Sequence, residues 1–131
     1  MTAVIDASVL VAAVTDAGVN GTWARGVLAD GHPVAPQLVS VEATNVLRRL
    51  ERARQLTRLE ATAAQRDLLR LDLVLVAFAP FAERVWELRK TLTSYDAWYV
   101  AVAETSELPL ATLDRRLSRA AGTSCQFLLP H

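Results

Sequence analysis

Four carboxylates stand where an α/β chain gathers its chemistry. Asp6 closes an apolar segment at residues 3–6, and Asp114 lies just past another at residues 108–112. If those segments are parallel strands, both acids project from the same edge of one sheet. Glu42 sits one turn into a helical pattern that follows a strand, so it begins at that edge too. Asp96 falls in a first helical turn, but its helix follows another helix, which places it less directly. Four converging carboxylates repel one another unless a divalent cation neutralises them. Mg²⁺ and Mn²⁺ are hard ions that prefer oxygen donors. Such an ion makes a water nucleophilic near neutral pH and stabilises charge on a phosphate under attack. The chain offers little else for catalysis. Its only imidazoles, His32 and His131, occupy a turn and the terminus, so neither a Ser–His–Asp nor a Cys–His mechanism has a well-placed base.

These acids need elements to position them. Strands are expected at residues 3–6, 33–36, 73–76, 108–112 and 126–129. Helices are expected at 8–14, 22–29, 37–53, 57–71, 80–92 and 94–104, with a short one at 113–120. Asp16-Ala17-Gly18 breaks the first helix. The helix at 37–53 carries Val39, Ala43, Val46, Leu47 and Leu50 on one face. The next carries Leu59, Ala63, Leu68 and Leu69, and Thr57 with Glu60 reads as its capping box. Pro80 suits a first helical turn. Short apolar strands alternating with helices predict an α/β fold with a parallel sheet covered on both faces.

Composition bounds the function. The chain has 131 residues and 52% hydrophobic content, enough for one domain with a real core and unlike a disordered tail. No apolar run approaches the roughly 18 residues of a membrane span, and the N-terminus does not read as a signal peptide. Cys125 is the only cysteine, which fits a reducing cytoplasm. Fourteen acids balance fourteen bases, thirteen of them Arg. With the four candidate acids set aside, ten acids face fourteen bases, so a neutral total leaves room for an RNA-facing surface.

Each feature also has an ordinary use. Asp6 and Asp114 suit helix N-caps, Asp96 suits a first turn beside Thr93, and Glu42 suits a solvated helix border. Tyr95, Trp98 and Tyr99 read as core or dimer face before they read as a base-stacking surface. Trp23 and Trp86 read as packing residues. Arg48, Arg49, Arg52, Arg54 and Arg58 read as a solvated helix face, with contact to RNA phosphates as the functional alternative.

Four segments, in order and in register, resemble the PIN domain, and specifically the VapC-type toxins of toxin–antitoxin pairs. Val4-Ile5-Asp6-Ala7-Ser8-Val9-Leu10 is similar to the family's opening strand. Glu42-Ala43-Thr44-Asn45-Val46-Leu47 is similar to its Glu-x-x-Asn-x-Leu helix. Ser94-Tyr95-Asp96-Ala97-Trp98-Tyr99 resembles its Asp in a Tyr- and Ala-rich helix. Leu110-Ala111-Thr112-Leu113-Asp114 resembles its closing Thr-x-Asp. The likeness runs from residue 2 to about 129, one PIN-like domain over residues 1–131. It implies a three-layer sandwich, a short central parallel sheet with helices on both faces.

The resemblance further implies a Mg²⁺- or Mn²⁺-dependent endoribonuclease acting on RNA, such as tRNA or rRNA loops. Asp6, Asp96 and Asp114 are then the metal-associated acids. Glu42 completes the catalytic set as a ligand or water-positioning group, and Ser8 and Thr112 are supporting hydroxyls. A homodimer and a VapB-like antitoxin are the implied partners. Where some relatives carry another acid or Asn after the last Asp, this chain has Arg115, Arg116, Ser118 and Arg119. A non-catalytic PIN-like scaffold that binds RNA or protein is the alternative, and retention of all four acids speaks against it. A receiver domain would want paired acids after the first strand, and a haloacid-dehalogenase-like phosphatase would want an acid at Ser8.

Overall fold

The computed structural model describes residues 2–131. Five short strands form one parallel sheet in the order β3-β2-β1-β4-β5. They are β1 (Val4–Ile5), β2 (Val34–Pro36), β3 (Val74–Val76), β4 (Leu110–Ala111) and β5 (Phe127–Leu128). Six α-helices flank the sheet: α1 (Ala7–Thr15), α2 (Val19–Ala29), α3 (Val39–Arg52), α4 (Arg58–Leu69), α5 (Ala82–Glu87) and α6 (Ser94–Ser106). Helices α1 to α4 pack on one another, while α6 crosses β2, β1 and β4 with α5 against it. This is the α/β three-layer arrangement that the alternating pattern predicts.

The topology decides where a site can form. The chain steps outward from β1 to β2 to β3, then returns to place β4 on the other side of β1. In register, Val4 pairs with Leu110 and Ile5 with Ala111. The order therefore reverses between β1 and β4, and a crevice opens beyond their carboxyl ends. Asp6 and Thr112 are the next residues of the two strands.

Helix α6 is the central buried element. Ala97 to Ala103 are all buried, with Ala97, Ala101 and Ala103 fully so. Their small side chains let the helix lie close on the sheet. Trp98 packs edge-on against Phe78, ring centres 5.2 Å apart. The Thr57–Glu60 capping box forms with both reciprocal bonds, a device that contributes about 0.5–2 kcal/mol.

Several expectations change. Helix α2 begins at Val19 rather than residue 22, because Gly21 permits a tight restart after the break. A Cβ there would lie 1.7 Å from the Asp16 carbonyl oxygen. The buried face of α4 is Ala61, Ala64 and Leu68, while Leu59, Ala63 and Leu69 are exposed, since α4 packs against α1 and α3 through the first of these faces. The expected helix at 80–92 divides into a 3₁₀ turn (Ala79–Phe81) and α5, followed by turns. The Thr91 hydroxyl bonds the carbonyls of Leu88 and Ala121 there, competing with helical bonding. Residues 113–120 form only a 3₁₀ turn at Leu117–Arg119, because Asp114 caps it late, through the Arg116 and Leu117 N–H groups, and Ala120 is already extended. Trp86 is not a core residue: it is 67% exposed, with the Arg89 guanidinium 4.4 Å above its ring. Trp23 is half-buried against the core. The five arginines from Arg48 to Arg58 are all exposed.

Candidate active site

Asp6 is the N-cap of α1 and also the most enclosed acid of the chain. It is 7% exposed. Its Oδ1 accepts bonds from the Ser8 N–H at 3.0 Å, the Val9 N–H at 3.3 Å and the Ser8 hydroxyl. Its Oδ2 accepts the hydroxyl of Thr112, which is itself fully buried. Capping and site-building are thus one act: the side chain that starts α1 is fixed over the crevice. Burial raises the Asp6 carboxyl, and the Ser8 and Thr112 hydroxyls and the backbone N–H groups pull it back only in part. Oδ1 is saturated, whereas Oδ2 keeps acceptor capacity.

The closing segment docks by two relays through hydroxyls. Asp114 N–H donates to Thr112 Oγ1 at 2.9 Å, and Thr112 donates onward to Asp6. Leu113 N–H donates to Ser8 Oγ at 3.0 Å, and Ser8 donates onward to Asp6. Ser8 and Thr112 therefore hold β1 and β4 together at the carboxylate. Asp114 caps the turn after it, its Oδ1 accepting from Arg116 N–H at 2.9 Å and Leu117 N–H at 3.3 Å.

Glu42 and Asp96 come from opposite sides of the sheet. Glu42 lies in the first turn of α3, which starts just after β2. Asp96 lies in the first turn of α6, whose Thr93 cap bonds the Asp96 N–H at 3.2 Å. Burial is the main cause of the raised Glu42 carboxyl. The charges of Asp96 and Asp6 add to it, and a bond from Tyr99 opposes it. Asp96 is also raised, first by burial and then by the charge of Asp114, with Thr93 and Arg116 opposing. Asp6, Glu42 and Asp96 thus share one field, and Asp114 joins it through Asp96.

On spacing alone Tyr99 reads as core or dimer face. It is 2% exposed, and its phenol donates to Glu42 Oε1 at 2.9 Å. Burial pushes its ionisation far up, and the charges of Glu42, Asp6 and Asp96 push the same way, so it stays a neutral donor. The available signal was its position one helical turn after Asp96, on the same face. Of the other two aromatics, Trp98 is core, whereas Tyr95 is 55% exposed. Tyr95 lines a shallow depression beside Glu42 with Leu38, Val41 and Asn45.

The donor set suits a hard divalent ion. It is all oxygen, and Glu42 and Asp96 carry like-charge repulsion that a cation relieves. Among the described residues, no three His, Cys, Asp or Glu side chains stand close enough together to hold a metal ion as they are placed. The arrangement is an open acidic crevice flanked by Arg116, not a finished coordination sphere. Other nucleophiles are poorly placed. Burial, then the charge of Glu104, pushes the Cys125 thiol up to about 11. Cys125 also lines a separate cavity with Glu104 and Glu107, beside the segments that lead into β4 and β5.

Comparison with known proteins gives concordant results. The PIN domain family model matches residues 3–123. Ribonuclease VapC1 of Mycobacterium tuberculosis is 35% identical over 127 residues, 96% of each chain. The crystal structure of PAE2754 from Pyrobaculum aerophilum is similar with a TM-score of 0.70 at 25% identity, covering 97% of this chain and 83% of that one. The crystal structure of VapBC2 from Rickettsia felis, bound to a DNA fragment from its promoter, shares the fold with a TM-score of 0.69 at 13% identity over the whole of both chains.

Proposed function

The chain belongs to the PIN-domain family, and on that premise we propose that it is a metal-dependent endoribonuclease, the toxin of a toxin–antitoxin pair. One observation carries the reading. The Asp6 carboxylate, at the point where the sheet order reverses, is bonded across β1 and β4 by Thr112 and shares its field with Glu42 and Asp96. Relatives 35% identical over nearly the whole chain are ribonucleases, which supports the same activity here.

In this reading Asp6, Asp96, Asp114 and Glu42 hold Mg²⁺ or Mn²⁺. The ion supplies an activated water and neutralises charge developing on the scissile phosphate. The protein supplies position. Ser8 and Thr112 fix the Asp6 carboxylate, the Arg116 and Leu117 amides fix one oxygen of Asp114, and the Thr93 cap sets the start of α6. Arg116 at the rim attracts an RNA phosphate without neutralising the crevice.

Partners follow the same reading. The exposed apolar side chains of Leu38 just before α3, Val41 on α3 and Tyr95 on α6, with Val74 and Leu75 on the edge strand β3, support a homodimer. A VapB-like antitoxin would occupy the acidic crevice. Among the described residues no helix is long and apolar enough to cross a membrane, and a cytoplasmic site of action accords with an RNA substrate.

The test is direct. Purified chain is incubated with total RNA plus Mn²⁺ or Mg²⁺, with and without chelator, and new RNA ends are mapped. Cleavage should need the ion and vanish in Asp6→Asn and Asp96→Asn, which should remain folded. Undiminished cutting by either variant, or cutting in chelator, contradicts the assignment. Binding without cutting favours the scaffold alternative.

A further inference from the structure

Glu42 is held by a group outside the acidic set. Among the described residues, the only hydrogen bond to its carboxylate comes from the Tyr99 phenol, 2.9 Å from Oε1. Glu42 and Tyr99 lie 57 residues apart on different helices. Tyr99 is nearly sealed from solvent, so water does not readily replace its hydroxyl. Its ring is packed in a helix whose middle is buried on every side. A phenol has a single proton to give and a rigid reach, so the bond fixes both which oxygen of Glu42 is tied and which is free.

We propose that Tyr99 is a positioning residue for Glu42. By tying Oε1 it fixes the rotation of the carboxylate and leaves Oε2 free for a bound cation or its water. This deepens the ribonuclease reading and rests on it for the nature of the reaction, although the contact itself does not. The phenol makes no contact with RNA and takes no proton. Its effect passes wholly through Glu42. Groups that orient a ligand in this way typically contribute about 10–100-fold in metal affinity or activity.

The test compares parent, Tyr99→Phe, Glu42→Asp and the double variant. Phenylalanine keeps the ring and removes only the donor. Aspartate keeps the charge and withdraws it from the phenol. Steady-state cleavage of a labelled RNA oligonucleotide in Mn²⁺ gives kcat and KM. Mn²⁺ affinity is read separately by electron paramagnetic resonance, and thermal melting in chelator reports folding. Tyr99→Phe should lower kcat or Mn²⁺ affinity by about 10–100-fold with KM for RNA unchanged. Glu42→Asp should do the same, and the double variant should be no worse than the worse single one.

Parental kcat with parental Mn²⁺ affinity in Tyr99→Phe overturns the proposal. So do losses that multiply in the double variant, because Tyr99 then acts by another route. If Tyr99→Phe does not fold, Glu42→Asp decides alone, and its parental kcat and Mn²⁺ affinity overturn the proposal. If the parent binds Mn²⁺ in a Tyr99-dependent way but cuts no RNA, the positioning role stands and the ribonuclease reading falls. If the parent cuts RNA and the removed hydroxyl changes nothing, the reverse holds.

Discussion

Replacing Thr112 by Val removes one hydroxyl and keeps the volume. In the folded chain that hydroxyl is fully buried, donates to Asp6 Oδ2 and accepts from Asp114 N–H. A hydrogen bond to a charged group contributes about 1.5–3 kcal/mol. The Asp114 amide is only half-buried and can turn to water, so it adds little. The variant should therefore lose about 1.5–3 kcal/mol, or roughly 5–15 °C in melting temperature for a domain of this size. Thr112→Ser keeps the hydroxyl and should lose about 1 kcal/mol from the missing methyl.

The loss should also depend on pH, and its sign is determined. The Thr112 bond lowers an Asp6 carboxyl that burial raises. Without it the folded-state carboxyl moves higher still. The lost stabilisation belongs to the ionised form, so the deficit is largest above the Asp6 titration and shrinks as pH falls through it. Urea unfolding in chelator at neutral and acid pH measures this. A Val variant within about 0.5 kcal/mol of the parent at neutral pH refutes the claim that Thr112 holds the carboxylate. So does a deficit that grows on acidification.

Three further outcomes follow from the same geometry. Asp6→Asn should melt higher than the parent in chelator at neutral pH. Burial raises the folded Asp6 carboxyl, so stability is lost as pH rises through that titration, and a neutral amide avoids the loss; a lower melting point contradicts this. Mn²⁺ should stabilise the parent by about 2.7 kcal/mol at one hundred times its Kd, while Asp96→Asn should show little of that shift in the same calorimetric titration. Arg84→Ala should cost about 1–2 kcal/mol after allowance for solvent screening. It removes bonds to Glu104 Oε1 at 2.8 Å, Glu104 Oε2 at 3.1 Å and the Gly122 carbonyl at 2.8 Å. Burial raises Glu104, but Arg84 and Ser124 outweigh it and keep the carboxyl low. The Arg84→Ala deficit should therefore fade as Glu104 protonates in acid, which equilibrium unfolding at two pH values checks.

Much of this fold is legible in the sequence because it rests on local patterns. Alternating apolar segments place all five strands, and Thr57 with Glu60 marks the start of α4. The acids are legible for a related reason: a residue that ends a parallel strand lies at a known sheet edge. What escapes is whatever a distant partner decides. Leu113 looks like the start of a helix, but Ser8, more than one hundred residues earlier, ties its amide to the sheet edge. Leu59 and Leu69 fit a helical stripe, but α4 packs on α1 and α3 by a different face. Tyr99 is hidden most fully. A buried aromatic at helical spacing is normally core, and only the long-range bond to Glu42 reveals its second contact.

The site and the fold therefore assemble in one step. Asp6 begins α1, receives the hydroxyl that closes β4 onto β1, and faces the charges on α3 and α6. The cap bonds from Ser8 and Val9 are local, but the Thr112 hydroxyl comes from 106 residues away and reaches Asp6 only once the sheet order is in place. Such coupling has a cost. Burial raises Asp6, Glu42 and Asp96 together, and the hydroxyls and amides around them offset that only in part. The unrelieved charge is of one sign and concentrated at one crevice, so a cation bound there recovers stability that the metal-free chain forgoes. Activity and stability should therefore respond in opposite directions when a carboxylate is neutralised.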